Sequence, residues 1–559
     1  MIRYLSRIGG AILFGILLWT CANEAPPPGG PEDVDPPRIV YTHPEPGSVE
    51  IAKNTNIVIE FSEYLNRRSV EPSIFISPYI EQGFEVDISR RTVTIDFIEQ
   101  LADSTTYIVT LSTGVADLRG NKLTESYQLA FSTGQSIDQG SIAGKIYRGD
   151  MEDGDVSIIA YEHGGIHPDT LIKRRPDYLA NPDAEGRFSF SNMSLGEYFI
   201  LALQDNNSNY AYDPGEWTGI PQQTFWGVED SAATDVLRMQ MFKYPADSLV
   251  LTKVEQQNRH RMIIGFNRPP KNPPTPDNIQ FIAADTTHPV SVAPGESNGE
   301  YLVEHYATIP DSTYQLIVKG LTDGFDIPFG TKRNIRDVEI TTEPDTLPLS
   351  APQISIADSS EKIVQTTSLR ITFPRAVQPV EPDTLLNISG VAASEVDLFW
   401  ENGQTLVAKP ASLWPAESWI KWMLKDSLIY DYRDSTYSDS VTTGVFRTET
   451  GGEYGQITGT IAFPDRWENG QVFVKANRAT GETVGTTTPD TSGQFRLNRI
   501  PAGEYTLESF YDADSSGDYS FGRPTPFVPS EYFVIFSDSI AVRVRWESSG
   551  YNLEYPTIQ

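Results

Sequence analysis

Apolar and polar residues alternate along much of this chain with a period of two, the spacing of strands that bury one face. Ile57, Ile59 and Phe61 share a side in the first such run, Val93, Ile95 and Phe97 in the next, then Tyr107, Val109 and Leu111, and finally Tyr127, Leu129 and Phe131. Turn-forming clusters such as Asp117-Leu118-Arg119-Gly120-Asn121 separate the runs, so Pro36 to about Gly134 reads as one antiparallel sandwich. No long stretch carries a helical apolar period. The pattern predicts an all-β chain.

The same plan recurs further on. Asp103-Ser104-Thr105-Thr106-Tyr107 has a counterpart in Asp311-Ser312-Thr313-Tyr314, and Met262, Ile264 and Phe266 parallel the Ile57 run. A fainter third copy has Leu369, Ile371 and Phe373 near its start, and Phe446-Arg447-Thr448 where the first has Phe131-Ser132-Thr133. These copies are placed at 246–344 and 349–450. A second kind of unit lies between and after them, over 137–244 and 453–546. In it Gly186-Arg187-Phe188-Ser189-Phe190, Met193, Gly196, Glu197 and Tyr198 match Gly493-Gln494-Phe495-Arg496-Leu497, Ile500, Gly503, Glu504 and Tyr505 at identical spacing. Each set reads as a hairpin with two aromatic or aliphatic side chains on one buried face.

The N-terminus breaks the alternation. Arg3 and Arg7 precede the apolar run Ile8 to Trp19, too short to span a bilayer and the right size for the core of a signal peptide. Cys21 follows, and then a Pro/Gly tether, Pro26-Pro27-Pro28-Gly29-Gly30-Pro31. Cys21 is the single cysteine of 559 residues, which excludes disulfides, cysteine-based zinc sites and iron–sulfur clusters. Residues 1–20 are therefore assigned to a signal peptide and 21–35 to the anchor and tether. A formal net charge of -32, from 75 acidic against 43 basic residues, repels phosphate backbones and argues against nucleic acid as a partner.

Four resemblances follow from these residues. The segment Leu17-Leu18-Trp19-Thr20-Cys21 resembles a bacterial lipobox, with Thr20 where that family usually has Gly, Ala or Ser; the resemblance implies cleavage before Cys21 and acylation there, a stable anchor because each buried methylene contributes about 0.8 kcal/mol. Asp35-Pro36-Pro37, Phe61-Ser62-Glu63, the Asp103 to Tyr107 entry and the closing Phe131-Ser132-Thr133-Gly134 resemble bacterial Ig-like domains of the SbsA type. The Gly186 to Tyr198 and Gly493 to Tyr505 units resemble carboxypeptidase regulatory-like, transthyretin-like sandwiches. The whole chain is similar to Ig-like-domain lipoproteins of Bacteroidetes bacteria, which implies a cell-envelope location, most simply the outer membrane, and no agreed activity.

Candidate chemistry gathers after the transthyretin-like hairpins. Asp205 follows Gly186, and Asp512 follows Gly493, at the same interval, and each opens a polar loop. Asp205, Asn207, Asn209, Asp213 and Glu216 fall in an EF-hand-like register, and Asp512, Asp514, Ser516 and Asp518 begin the same pattern. Alternate oxygen-bearing side chains on a tight loop are what calcium needs to collect its ligands. Tyr210 stands where the register wants glycine, and Arg523 where the second loop would need its closing acid. A solvated Asp/Asn turn is the competing account of both loops.

Catalytic signals are weak. Gly295-Glu296-Ser297-Asn298-Gly299 matches a nucleophile-elbow pattern but lies between two strand-like runs, and His163 and His167 share no helical face. Trp217 and Trp226 flank the first polar loop and suit either a core cap or a sugar platform. Asp169-Thr170-Leu171, Asp247-Ser248-Leu249, Asp383-Thr384-Leu385, Asp426-Ser427-Leu428 and Asp538-Ser539-Ile540 resemble the O-glycosylation acceptor of Bacteroidetes envelope proteins. The expectation is a non-enzymatic, membrane-anchored scaffold or interaction arm for an envelope protein or glycan, with glycan capture for nutrition as the alternative and calcium as the one cofactor to test.

Overall fold

The computed structural model describes residues 34–555 except 150, 152–153, 208, 229–234, 284–285, 306–312, 326, 328, 331–333, 340–343, 345–350, 379, 432–440 and 463–469. Cys21 and the tether up to Asp33 lie outside these residues. The chain is all-β and folds as tandem β-sandwiches. Among the described residues, no helix is long and apolar enough to cross a membrane. Two compact units are present, Met1–Gln139 with Asn192–Ser194, and Gly140–Ser191 with Leu195–Gln559.

In the first unit a four-stranded antiparallel sheet (Ile39–His43, Ile57–Phe61, Thr92–Phe97, Phe84–Ser89 in spatial order) faces a three-stranded one (Ile74–Ser77, Thr106–Leu111, Tyr127–Ser132). The period-two runs supply the core: Ile57, Ile59, Phe61, Val93, Ile95, Val109, Leu129 and Phe131 are all fully buried. The two recurring motifs meet in one contact. Ser104 takes a left-handed φ of 51°, and the Ala102 N–H donates to the Tyr107 hydroxyl at 2.7 Å. Thr133 then closes the corner, its hydroxyl donating to Ala102 O (2.8 Å) and accepting from Thr105 N–H (3.0 Å).

The second unit holds two further sandwiches, each with one four-stranded sheet in the strand order of the first unit's. One pairs the sheet Leu251–Asn258, Arg261–Phe266, Glu300–His305, Val290–Pro294 with the sheet Thr286–His288, Ile279–Ala283, Thr313–Val318, Ile335–Glu339. The other is built around Leu369–Thr372, Thr405–Pro410, Trp419–Lys425 and Val441–Thr448. It repeats the threonine corner: Glu417 has φ 51°, and the Thr448 hydroxyl donates to Pro415 O while accepting from Ser418 N–H at 2.9 Å.

The two copies of the second kind of unit share a less common feature, a parallel strand pair at the chain's return. Asp235–Lys243 runs parallel to Gly140–Tyr147, and Glu547–Glu554 runs parallel to Gly455–Ala462. The second sandwich therefore continues past Trp546, the boundary expected from sequence, and carries Leu553 and Tyr555 into its core. That last strand, Glu-Ser-Ser-Gly-Tyr-Asn-Leu-Glu, has little apolar alternation to announce it. Gly459 makes room for it: a Cβ there would lie 2.1 Å from Tyr551 O and 2.6 Å from the Phe495 ring, and Gly144 meets Leu237 O and Phe188 in the same way.

Buried polar contacts join the sandwiches of this unit. The Arg261–Glu304 ion pair, with side chains 10% and 4% exposed, reaches the next sandwich through Arg261 Nη2 to Pro374 O (2.9 Å) and Ala376 N–H to Glu304 Oε2 (3.1 Å). Arg499 donates to Gln365 Oε1 (2.7 Å) and to Glu449 Oε1 (2.9 Å). Between the two copies of the second kind of unit, Phe527 N–H donates to Asp169 Oδ1 (2.7 Å) and the Ser530 hydroxyl to Ile220 O (2.8 Å).

Thr448→Val keeps the side-chain volume and removes both corner bonds, leaving a buried carbonyl and amide without that partner. It should destabilise its sandwich by about 1–3 kcal/mol. Thr443→Val, on an exposed position of the same strand, is the control. Equal urea midpoints for the two variants would remove the corner from the list of stabilising contacts.

Candidate functional site

One carboxylate organises the loop that follows the strand Gly196–Leu203. Asp205 Oδ1 accepts the backbone N–H groups of Asn207 and Asn209, both at 3.2 Å, and its Oδ2 accepts that of Tyr210 at 2.6 Å. A second carboxylate, buried Glu216, accepts Asn206 N–H (3.0 Å) on Oε1 and Asp213 N–H (3.2 Å) on Oε2. Tyr210 adopts the left-handed φ, 56°, that this turn requires. Such a conformation costs a non-glycine residue about 1–2 kcal/mol, and Arg175, 5.3 Å above the Tyr210 ring centroid, helps to hold it.

The loop after Gly503–Asp512 repeats this wiring. Asp512 Oδ1 accepts Ser516 N–H (3.0 Å) and its Oδ2 accepts Gly517 N–H (2.9 Å), with Gly517 at φ 81° in the place of Tyr210. Asp514 Oδ1 accepts Ser516 N–H (2.9 Å), as Asn207 Oδ1 accepts Asn209 N–H (3.1 Å). The closing acid is Glu531, which accepts Ala513 N–H (2.7 Å) on Oε1 and Ser520 N–H (3.0 Å) on Oε2. A contiguous register lands instead on Arg523, because Phe521 to Ser530 occupy the place of Pro214 and Gly215 in the first loop. Glu531 was absent from the sequence-derived set. Its signal is the acid–aromatic pair, Glu216-Trp217 and Glu531-Tyr532, just ahead of the returning strand.

The structure also sorts the expected ligands. Asp512, Asp514 and Glu531 bring carboxylate oxygens within 4.8 Å of one another. Asp518 turns away, its largely exposed side chain reaching Lys475 Nζ at 3.2 Å, and the bonding pattern makes Ser520 the counterpart of Asp213. The Ser516 hydroxyl donates to Asp518 O (2.8 Å). In the first loop Asp205, Asn207, Asn209, Asp213 and Glu216 stay in one hydrogen-bonded cluster. There Asn207 Nδ2 and Asn209 Nδ2 both donate to Asp213 Oδ2, at 2.7 and 2.8 Å.

That difference sets the electrostatics. Amide N–H groups neutralise Asp213 in the first loop, whereas Asp514 and Ser516 supply none in the second. Burial pushes Glu531 up to about 7, and the neighbouring Asp514 and Asp512 charges add to the rise. Glu216 is raised for the same reasons, burial first and then Asp205 and Asp213. Burial also acts on Asp514, but its hydrogen bonds from Ser516 and the charge of Lys271 hold that carboxyl below its ordinary range. Three carboxylates converging with no side-chain amide between them fit calcium, which takes six to eight oxygens at about 2.3–2.6 Å. The first loop matches this chemistry only with its Asn207 and Asn209 amides turned oxygen-inward.

The remaining candidates are placed as follows. Gly295 to Gly299 is the hairpin turn between Val290–Pro294 and Glu300–His305, closed by Gly295 N–H to Glu300 O (2.8 Å). His163 bonds Glu197 (3.1 Å) and stacks on Phe225, while His167 caps the short helix Pro168–Leu171; they form no joint site. Trp226 is buried, so it offers no face to a sugar, and Trp217 is half-buried. Thr170, Ser248, Thr384, Ser427 and Ser539 are exposed, and the residues after four of them (Leu171, Leu249, Leu385 and Ile540) are buried in cores.

Residues 33–133 match the bacterial Ig-like domain family. No curated protein matches the chain. Among solved structures it is similar to the N-terminal part of the bacterial S-layer protein SbsC (12% identity, 36% of this chain and 45% of that one, TM-score 0.16) and to domains 1–6 of SbsC (11%, 91% and 67%, TM-score 0.15). It is also similar to BcpA, the major pilin subunit of Bacillus cereus (10%, 75% and 100%, TM-score 0.14). The chain thus spans under half the length of the first of these structures.

In calcium-free buffer, Glu531 contributes stability that is fully present below its ordinary value of 4.5 and is lost as pH rises through about 7. Asp514→Asn removes one repelling charge and keeps an oxygen for Ser516 N–H. It should shrink the fall in unfolding temperature between pH 5 and pH 8. An unchanged fall would show that Asp514 exerts no field on Glu531.

Proposed function

We propose that this chain is a non-enzymatic lipoprotein of the cell envelope, anchored through Cys21, whose sandwiches form a scaffold or interaction arm for an envelope partner. The observation that carries this reading is how the sandwiches of the second unit are joined. Arg261, Glu304 and Glu449 are buried charged groups at seams, Arg499 is half-buried there, and each finds a partner in the neighbouring sandwich. Domains on loose linkers move independently, whereas seams of this kind hold neighbours in fixed register, as a mount for something else requires. The match of residues 33–133 to bacterial Ig-like domains begins directly after the tether and supports placement outside the cytoplasm. The lone cysteine between an apolar run and a Pro/Gly tether supports lipidation, since no second thiol exists to give it another use.

The paired hydrogen-bond patterns of the 137–244 and 453–546 regions support their resemblance to carboxypeptidase regulatory-like repeats. Within this scaffold the polar loops serve as calcium-stiffened corners, the second through Asp512, Asp514 and Glu531. The five exposed Asp-Ser/Thr sites are proposed O-glycan acceptors of Bacteroidetes type, and the outer membrane is the proposed location.

Cys21→Ser should move the protein from the detergent-phase membrane fraction to the soluble fraction and abolish metabolic labelling by radioactive palmitate. Retention in the membrane together with an unlabelled native protein would end the lipoprotein reading. Calcium at a hundredfold excess over Kd should stabilise the folded chain by about 2.7 kcal/mol. The gain in unfolding temperature should be larger at pH 8 than at pH 5, where protons compete for Glu531. Identical melting in calcium and in EDTA at pH 8 would dismiss the metal.

A further inference from the structure

Two sheet faces of this chain are open to solvent and carry opposite charge. On a strand alternate side chains share a face, and residues in register on the next strand share it with them. In the 349–450 sandwich, Trp419, Lys421, Met423 and Lys425 therefore point outward together, and their register partners Arg447, Val445, Thr443 and Val441 join them. Trp419 is 43% exposed, Met423 37% and Val441 51%. The same strand sends Ile420, Trp422 and Leu424 into the core, so its outward residues form a second apolar stripe that nothing covers. Arg447 reaches Glu361 at 4.0 Å, but among the described residues Lys421 and Lys425 have no acid within ion-pair distance.

The first unit carries the complement. Its four-stranded sheet turns Glu60, Glu85, Asp87 and Asp96 outward, with exposed Tyr41 in register beside Glu60. No lysine or arginine stands at an outward position of these four strands. Glu85 and Asp96 lie directly opposite each other, and like charges so placed destabilise a sheet. Arg67 comes within 3.8 Å of Asp87, whereas Glu60, Glu85 and Asp96 have no cation within ion-pair distance among the described residues. Cations brought by another surface would relieve that repulsion. In a chain of net charge -32, a basic face with an exposed tryptophan is the exception, and the acidic face is its match in charge and in flatness.

We propose that these faces pair between copies of this chain, the Trp419 face of one copy against the Glu85 face of the next. Packed sheets lie about 10 Å apart, a gap that lysine side chains can cross to opposing carboxylates while Trp419, Met423 and Tyr41 fill the layer between. Met423 and Val441 give a sugar nothing to bond, which favours a protein surface with apolar side chains of its own. Because the two faces differ, the contact is head-to-tail, each copy keeps one face free, and copies add in an open row. Four strands span only about 19 Å, so each face falls short of the roughly 800 Å² per partner of a stable interface. The contact is therefore weak in solution and steeply salt-dependent. It involves neither Cys21 nor the calcium loop.

The test is sedimentation equilibrium of the full chain carrying Cys21→Ser, in EDTA, so that neither lipid nor calcium can join copies. At about 50 mM salt the average mass should climb above the monomer's over about 5–200 µM without levelling at a dimer, and at about 500 mM association should weaken about tenfold or more. Lys421→Glu with Lys425→Glu should weaken it about tenfold or more. Glu85→Lys with Asp96→Lys should do the same, and it leaves that cross-strand pair repelling as before. An equimolar mixture of the two charge-reversed variants should associate where neither does alone, a recovery that misfolding of either would prevent. A chain monomeric throughout at the lower salt, a mass that stops at the dimer, undiminished association after either reversal, or a mixture that stays monomeric overturns the proposal. So does a monomeric chain retarded by polygalacturonate in a native gel, with the retardation lost in Lys421→Glu with Lys425→Glu, which would give the basic face to an acidic sugar polymer instead.

Discussion

The second unit depends on charges that no single sandwich could bury by itself. Glu304 and Arg261 sit on neighbouring strands of one sandwich, and their pairing leaves a lone pair and a donor unsatisfied where water is excluded. The backbone of the next sandwich completes both, through Pro374 O and Ala376 N–H. Removing one partner of such a pair strands the other in a dry site, which is far more damaging than the pair's own net contribution. Small sandwiches bury a modest fraction of their surface. Sharing polar satisfaction across the seams converts that weakness into a fixed order of neighbours.

The same economy governs the two polar loops opened by Asp205 and Asp512. Asp205 and Asp512 each gather several backbone N–H groups, so the loop geometry is specified by one carboxylate and one later glutamate. What fills the space inside that frame then differs. Asn207 and Asn209 neutralise their acid from within, whereas Asp514 joins Asp512 and Glu531 and leaves a charge for a cation to balance. A common backbone scheme thus supports two electrostatic outcomes.

Much of the fold was legible because it rests on local periodicity. Runs such as Ile57, Ile59 and Phe61 expose their inward face in the spelling, and the pairing of Thr133 with the Ser104 turn underlies motifs visible as repeated letters. The strand Glu547–Glu554 was not legible, since a parallel strand beside a glycine needs few apolar side chains of its own. Glu531 escaped for a different reason: its role is defined by which amides it reaches, and ten residues in the place of two moved it out of register while leaving those amides in place. The seam contacts were out of reach altogether, because they join residues 50 to 358 positions apart that share no local pattern.

That insertion also makes the two copies of the second kind of unit distinguishable from one another. Chains with repeated domains risk pairing like with like in the wrong order, or exchanging elements between copies during folding. Phe527 meets Phe199 at 4.8 Å between centroids, and Phe527 and Ser530 bond Asp169 and Ile220, so the second copy carries a projection that only the first copy's sheet receives. The first copy, with Pro214 and Gly215 at that place, has nothing to offer in return. The contact is polar in the sense of direction: it has a donor copy and an acceptor copy. Two related folds are thereby assembled in one sequence order, and the segment that carries Glu531 out of register is also what tells the copies apart.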